Sequence, residues 1–134
     1  MTLWQPGMRI TAARLNDYTP VPLTSTAIPA GGFTLTSFNA RRAAGTVEWS
    51  AILVRSGDAI TAGATGNITD VDCLTVPADC RPGFTYFGLY ETAGVASGAL
   101  RVSPAGVVTL TSLDPTASIA KNATVNLSGT FATG

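Results

Sequence analysis

The side chains in this chain that could carry out chemistry are few. Histidine is absent from all 134 residues, so the commonest general base and the commonest metal ligand are missing. Eight acidic residues and two cysteines remain. Two carboxylates that face each other at a defined separation are enough for glycoside hydrolysis. The acidic residues are therefore the first candidates for a catalytic role.

Asp70 and Asp72 are the closest acidic pair, and on a strand their side chains would lie on the same face. Charges placed in this way also protect an exposed strand edge from pairing with other chains, and we favour that interpretation. A second candidate is Glu48, because a carboxylate next to a tryptophan is typical of a sugar site. We favour instead an ion pair between Glu48 and one of three arginines: Arg41, Arg42 or Arg55.

Cys73 and Cys80 are the only thiols. Without further cysteines or any histidine, they cannot complete the four-ligand set of a zinc site. Synthesis in a reducing cytoplasm favours free, buried thiols over a disulfide. The glycine-containing turns also lack a phosphate-binding spacing. We therefore predict no catalytic residues, no metal site and no cofactor, and we predict that the protein is not an enzyme.

The composition indicates a chain that covers its surface with copies of itself. Charged residues make up 12% and apolar residues 46% of the sequence, whereas ordinary domains carry about 25% charged residues. No uninterrupted apolar run approaches the ~20 residues that cross a bilayer, so we expect a homo-oligomer rather than membrane insertion. Acidic and basic residues balance at eight each, which gives no field that would attract nucleic acid.

Residues 1–20 form a segment distinct from the rest. Trp4, Gly7 and Ile10 lead into a short helix that Thr11 can cap, with Leu15 on its apolar face. Trp4 could cap one end of the core or press into a neighbouring subunit, and we slightly favour the second. The first nine residues lack a basic start followed by an apolar region, so we expect no secretory signal and assembly in a cytoplasm.

Residues 21–134 alternate between apolar and polar residues, with turn residues at regular intervals, which is typical of a sandwich or barrel. Residues 33–42 and 46–55 are predicted to pair as a hairpin, and residues 99–103 and 107–113 as another. The alternation places two sets of residues toward the core: Val47, Trp49, Ala51 and Leu53 in the first hairpin, and Leu100, Val102, Val108 and Leu110 in the second. A last strand near residues 124–131 would place Val125, Leu127, Gly129 and Phe131 on one face.

The strand around residues 84–90 carries apolar or aromatic residues on both faces. We expect Phe87 and Leu89 to face the core. Tyr86 and Tyr90 would then keep their hydroxyls near water or a neighbouring chain. These two tyrosines are the predicted subunit-interface residues.

These patterns predict an all-β protein, most simply a two-sheet jelly-roll-like β-sandwich over residues 21–134, preceded by a tether over residues 1–20. The second half resembles the head domains of bacteriophage tail-fibre and baseplate receptor-binding proteins. The resemblance lies in the loop Val76-Pro77-Ala78-Asp79-Cys80-Arg81-Pro82, the hairpin that follows it and the closing apolar strand. In those head domains the residue before Arg-Pro is usually aromatic, whereas in this chain it is Cys80.

The N-terminal pattern Trp-x-x-Gly-x-x-Ile-Thr-Ala-x-x-Leu-Asn resembles the opening of minor tail and structural proteins of phages that infect actinobacteria. Together the two resemblances imply a virion protein of the tail tip or fibre that binds host saccharide. They also imply a trimer, with Trp4, Gly7, Ile10 and Leu15 attaching it to other virion proteins. Two alternatives remain open: a capsid decoration protein or head fibre, and a small enzyme that degrades glycans.

Overall fold

The computed structural model describes residues 19–132, and the predictions for Trp4, Gly7, Ile10 and Leu15 lie outside that range. The described chain is built from antiparallel strands with one 3-10 turn, Ala78–Cys80. The strands are β1 Val21–Leu23, β2 Ile28–Pro29, β3 Phe33–Ala43, β4 Thr46–Arg55, β5 Ile60–Thr61, β6 Asn67–Thr75, β7 Tyr86–Thr92, β8 Ala96–Val102, β9 Val107–Ser112, β10 Ser118–Ile119 and β11 Thr124–Ala132.

Nine of the described strands form one sheet in the order β1-β3-β4-β11-β7-β8-β9-β6-β2, and β5 pairs with β10 in a second, small sheet. The large sheet is curled. Strand β2 lies at one edge, and the chain runs from it directly into β3, which lies next to the other edge. The Gly32 carbonyl accepts backbone hydrogen bonds from Ser56 and Gly57, just beyond β4. The predicted all-β, sandwich-like fold is confirmed.

The hairpin β3–β4 confirms the first predicted pairing, with Ala43 opposite Thr46 and Phe33 opposite Arg55. Ala44 and Gly45 form its loop with φ of 49° and 81°, the left-handed pair that a type I′ turn needs. The four core-facing residues predicted on β4 are all buried: Val47, Trp49, Ala51 and Leu53. The alternation of apolar and polar residues along β4 was therefore enough to predict which of its side chains face the core.

The hairpin β8–β9 confirms the second prediction. Leu100 pairs with Leu110 and Val102 with Val108, and all four side chains are buried. The Gly106 amide donates to the Ser103 carbonyl at 2.8 Å and closes the turn. On β11, Val125, Leu127 and Gly129 are buried and Phe131 is half-buried, as the shared-face prediction requires.

The predicted facing of β7 is wrong. Phe87 and Leu89 are each 75% exposed, whereas Tyr90 is 3% exposed. The Tyr90 hydroxyl donates to the backbone carbonyl of Ser112 at 2.7 Å. Tyr86 is half-buried, and its ring packs against Phe131 with 5.2 Å between centroids. The two tyrosines thus face the interior, and the apolar pair faces outward.

The reason lies in two glycines on the inner face. A Cβ on Gly88 would lie 2.8 Å from the Tyr86 ring, and one on Gly98 would lie 2.8 Å from the Tyr90 ring. Each tyrosine therefore occupies space that a glycine leaves vacant inside the sheet. Aromatic rings that cover strand glycines in this way are a known feature of curved sheets. They place the two tyrosines inside and the more hydrophobic Phe87 and Leu89 outside, which is the reverse of what hydrophobicity alone predicts.

Candidate functional site

A groove opens on the outer face of the large sheet where β7 and β11 part. The two strands pair only at Asn126 with Glu91 and at Leu127 with Tyr90. Beyond these pairs, β11 continues along β4 and β7 continues along β8. The groove has a volume of about 420 Å³ and is lined by Leu89, Tyr90, Glu91, Ser97, Asn126, Leu127 and Ser128.

Glu91 and Asn126 form the polar centre of this groove. The side-chain amide of Asn126 donates to Oε1 of Glu91 at 2.7 Å. Both residues face outward because each lies between buried neighbours on its strand: Tyr90 and Thr92 on β7, Val125 and Leu127 on β11. The other carboxylate oxygen, Oε2, has no hydrogen-bond partner among residues 19–132. The Asn126 amide therefore orients a carboxylate that can accept a further hydrogen bond.

Tyr90 supports the groove from below. Its hydroxyl is held by the Ser112 carbonyl, and burial raises the pKa of Tyr90 to about 12, with smaller contributions from Cys73 and Asp114. The phenol therefore stays neutral at physiological pH and keeps donating its proton. This bond ties β7 to β9 across β8 and holds the strand that presents Glu91.

The loop before β10 is bonded to Ser97, one of the residues that line the groove. The backbone amide of Ser97 donates to Oδ2 of Asp114 at 3.0 Å, and the Asp114 amide donates to the Ser97 carbonyl at 2.8 Å. A second hollow of about 200 Å³ lies beside this contact and shares Glu91 and Ser97 with the groove. Glu91 thus lies between two connected depressions.

These groups define what the groove can bind. It offers a carboxylate, a carboxamide and the hydroxyls of Ser97 and Ser128 beside the apolar wall of Leu89. No arginine or lysine is among the residues that line it. A few polar groups set against an apolar wall are typical of small-ligand sites. The lining suits an uncharged ligand rich in hydroxyl groups better than an anionic one.

The other acidic candidates are occupied elsewhere. Arg41 and Glu48 form an ion pair at 2.8 Å, with both side chains about half exposed, which confirms the predicted pairing of Glu48. The pair borders a separate hollow of about 260 Å³ on β3 and β4. Glu48 is thus held by a cation rather than placed opposite a second carboxylate.

Asp70 and Asp72 have different partners on the outer face of the sheet. Asp70 forms an ion pair with Arg101 at 2.9 Å, and Asp72 accepts a hydrogen bond from the Thr109 hydroxyl at 2.7 Å. Asp72 is engaged from the neighbouring strand β9, and Asp70 from β8, which lies one strand further away. Their contacts link β6 to β9 and β8.

Cys73 and Cys80 are free and buried, as predicted. Burial raises the pKa of each thiol to about 12, and a nearby aspartate adds to the shift in both: Asp72 for Cys73, Asp79 for Cys80. The thiols are therefore protonated and act as small apolar core residues. Within residues 19–132, no three potential metal-ligating side chains of cysteine or acid type lie together.

The residues that carry the groove were not singled out by the sequence analysis. Neither Glu91 nor Asn126 was among the candidate residues that the sequence pointed to. The alternation on β11 does place Asn126 outward, but its pairing with a residue 35 positions away has no local signal. Of the predicted interface residues, Tyr90 forms part of the groove floor and Tyr86 packs inside the sheet.

No protein-family model matches the chain, and no curated protein matches it at a significant level. Within the described range, the chain contains no helix that is both long and apolar enough to cross a bilayer.

Proposed function

We propose that this chain is a bacteriophage virion protein of the tail tip or fibre that binds saccharide on the host surface without cleaving it. The single observation that supports binding is the Glu91 and Asn126 pair, joined at 2.7 Å in an open groove of about 420 Å³. The phage assignment itself rests on the two sequence resemblances. The protein works on the virion after assembly in the host cytoplasm.

The chemistry of the groove favours a saccharide that carries no negative charge. Adjacent sugar hydroxyls can donate to a carboxylate and accept from a carboxamide, so the two side chains match a neutral sugar. Hydrogen bonds to an ionised group contribute about 1.5–3 kcal/mol each. A phosphate or uronate would instead meet Glu91, with Asp114 close by and no lining cation. The groove volume also lies within the usual range for ligand sites, roughly 300–1,000 Å³.

Binding of host envelope polysaccharide to the purified full chain tests this proposal. We expect Glu91→Gln and Asn126→Ala each to weaken binding about tenfold or more, because each removes a charge-assisted hydrogen bond. Glu48→Gln is the matched control, since it removes an exposed carboxylate on β4, outside the groove lining. Equal binding by all three variants and the original chain would refute the assignment of the groove.

The same proposal includes a homo-oligomer, with a trimer as the expected state. Residues Trp4, Gly7, Ile10 and Leu15 would join it to other virion proteins. The low charge of the chain supports oligomerisation, because 12% charged residues leave much apolar surface to cover.

A capsid decoration protein or head fibre is the second candidate. It is favoured by the short spacing between Leu15 of the attachment segment and Val21, where β1 begins, because a tail fibre usually places a long shaft there. Immunogold electron microscopy of phage particles separates the two. Label at the tail end supports receptor binding, whereas label spread over the head supports decoration.

A further inference from the structure

The outward face of β7 carries the most exposed apolar residues of the described chain. Seven large apolar side chains between residues 19 and 132 are exposed, and the four highest values belong to one stretch. Phe84 is 88% exposed before β7, Phe87 and Leu89 are 75% exposed on it, and Val95 is 86% exposed in the turn after it. We name these four residues the β7 ridge.

Polar and charged groups border the ridge on both sides. On β8, Phe87 lies opposite Arg101, which is bound to Asp70. On the β11 side, Glu91 and Asn126 form their hydrogen-bonded pair. An apolar strip with a polar rim is the usual anatomy of a protein interface. The ridge therefore has the layout of a surface that another protein covers.

The backbone of β7 points to the same conclusion. The strand pairs with β8 along its whole length, from Tyr86 to Thr92, but with β11 only at Tyr90 and Glu91. Within residues 19–132, the first half of β7 is thus paired by its backbone on the β8 side only. Proteins normally cover such an edge or protect it with charges, whereas Phe87 and Leu89 make this edge apolar. Strand backbone that is not paired with β11 and exposed apolar side chains thus coincide here.

We infer that the β7 ridge is the contact surface between copies of this chain. Charge and area both indicate that the partner on this surface is another copy of the chain. The chain has no net charge, so copies do not repel each other over long range. The rim carries the Arg101–Asp70 pair on one flank and the Glu91–Asn126 pair on the other, so no strongly charged flank keeps two copies apart.

The area fits this role. An aromatic side chain buries roughly 150–250 Å², so the four ridge residues together offer on the order of 500 Å². A specific interface covers about 800 Å² on each partner. The ridge can supply the apolar centre, and the rim can supply the remaining contact. Because the strip is one strand wide, it suits a rotation axis where several copies converge, as in the proposed trimer.

This inference rests on the oligomeric part of the proposed function, and the ridge shares one residue, Leu89, with the groove lining. The test is the mass of the full chain in solution, measured by analytical ultracentrifugation at micromolar concentration. We expect an oligomer for the original chain and a monomer for the double variant Phe87→Ser/Leu89→Ser. The matched control Val21→Ser/Ile28→Ser also removes two exposed apolar residues, on β1 and β2, and stays oligomeric.

A monomeric original chain, or a ridge variant that stays oligomeric, overturns the inference. Should the ridge variant fail to fold, a photo-crosslinking residue at position 87 of the otherwise unchanged chain decides instead. Covalent oligomers support the inference, and their absence refutes it. The Glu91→Gln variant remains oligomeric on this inference, so a loss of saccharide binding and a loss of assembly are measured separately.

Discussion

At the scale of single residues, neighbours in the chain have opposite roles on β7. Tyr90 is buried and anchors the strand through the Ser112 carbonyl, while Glu91 faces out and is held by Asn126. The side chains of the two cysteines are buried, as that of Tyr90 is. Cys73 approaches the Val108 carbonyl at 3.4 Å and belongs to the core with Cys80. Tyr90 and the two cysteines are thus buried in their protonated forms, whereas Glu91 lies at the surface.

The buried ionisable groups predict how stability depends on pH. The pKa of each thiol rises from 9.0 to about 12 on folding, and the pKa of Tyr90 rises from 10.0 to about 12. Their stabilising contribution is complete below about pH 9. It is lost as the pH rises toward about 12, because the unfolded chain releases protons that the native state retains.

Urea unfolding at about pH 8 and about pH 10.5 checks this prediction. We expect a lower midpoint at the higher pH, and a smaller difference in the variant Cys73→Ala/Cys80→Ala. Thiol reagents should also label the native protein far more slowly than the unfolded protein at pH 8. Identical midpoints at the two pH values in the original chain would contradict the burial of the protonated groups.

At the scale of elements, glycines on the inner face decide which side of β7 turns inward. Gly98 on β8 is the most constrained, because a Cβ there would lie only 2.0 Å from the Ser112 carbonyl oxygen. The same glycine accommodates the Tyr90 ring. The close approach of β8 to β9 and the inward position of Tyr90 thus depend on one residue without a side chain.

The substitution Gly98→Ala is therefore expected to destabilise the fold by about 3 kcal/mol, the upper end of the usual cost of overpacking. Gly31→Ala is the control, because a Cβ there meets nothing within 4 Å, and a change within about 0.5 kcal/mol is expected. Chemical denaturation of the two variants measures the difference. Equal free energies of unfolding would show that the sheet accommodates the methyl group.

At the scale of the whole molecule, the described core draws its residues from strands across the large sheet. Its buried apolar residues run from Ala27 to Leu127, and they come from both hairpins, β6 and β11. The curled sheet brings Gly32 to the end of β4, so strands from both edges share that core.

Deletion of residues 1–20 is expected to leave the domain folded, because the truncation spares every buried residue of the described chain. Near-ultraviolet circular dichroism and the melting temperature should match those of the full chain, and the oligomer should persist. Incorporation into particles should be lost. A truncated chain that does not fold would show that the N-terminal segment belongs to the core and that the two-part division is wrong.

The fold class, both major hairpins and the faces of β4, β8 and β9 could be predicted from the order of the residues alone. On these strands one face is apolar, so local alternation identifies the buried residues. The faces of β7 depended on the folded structure, since Tyr86, Phe87, Leu89 and Tyr90 are all apolar enough for a core. The space beside Gly88 and Gly98 selected the tyrosines. The groove could not be predicted from the sequence either. Strand pairing and strand separation depend on residues far apart in the chain, and no local sequence pattern indicates them.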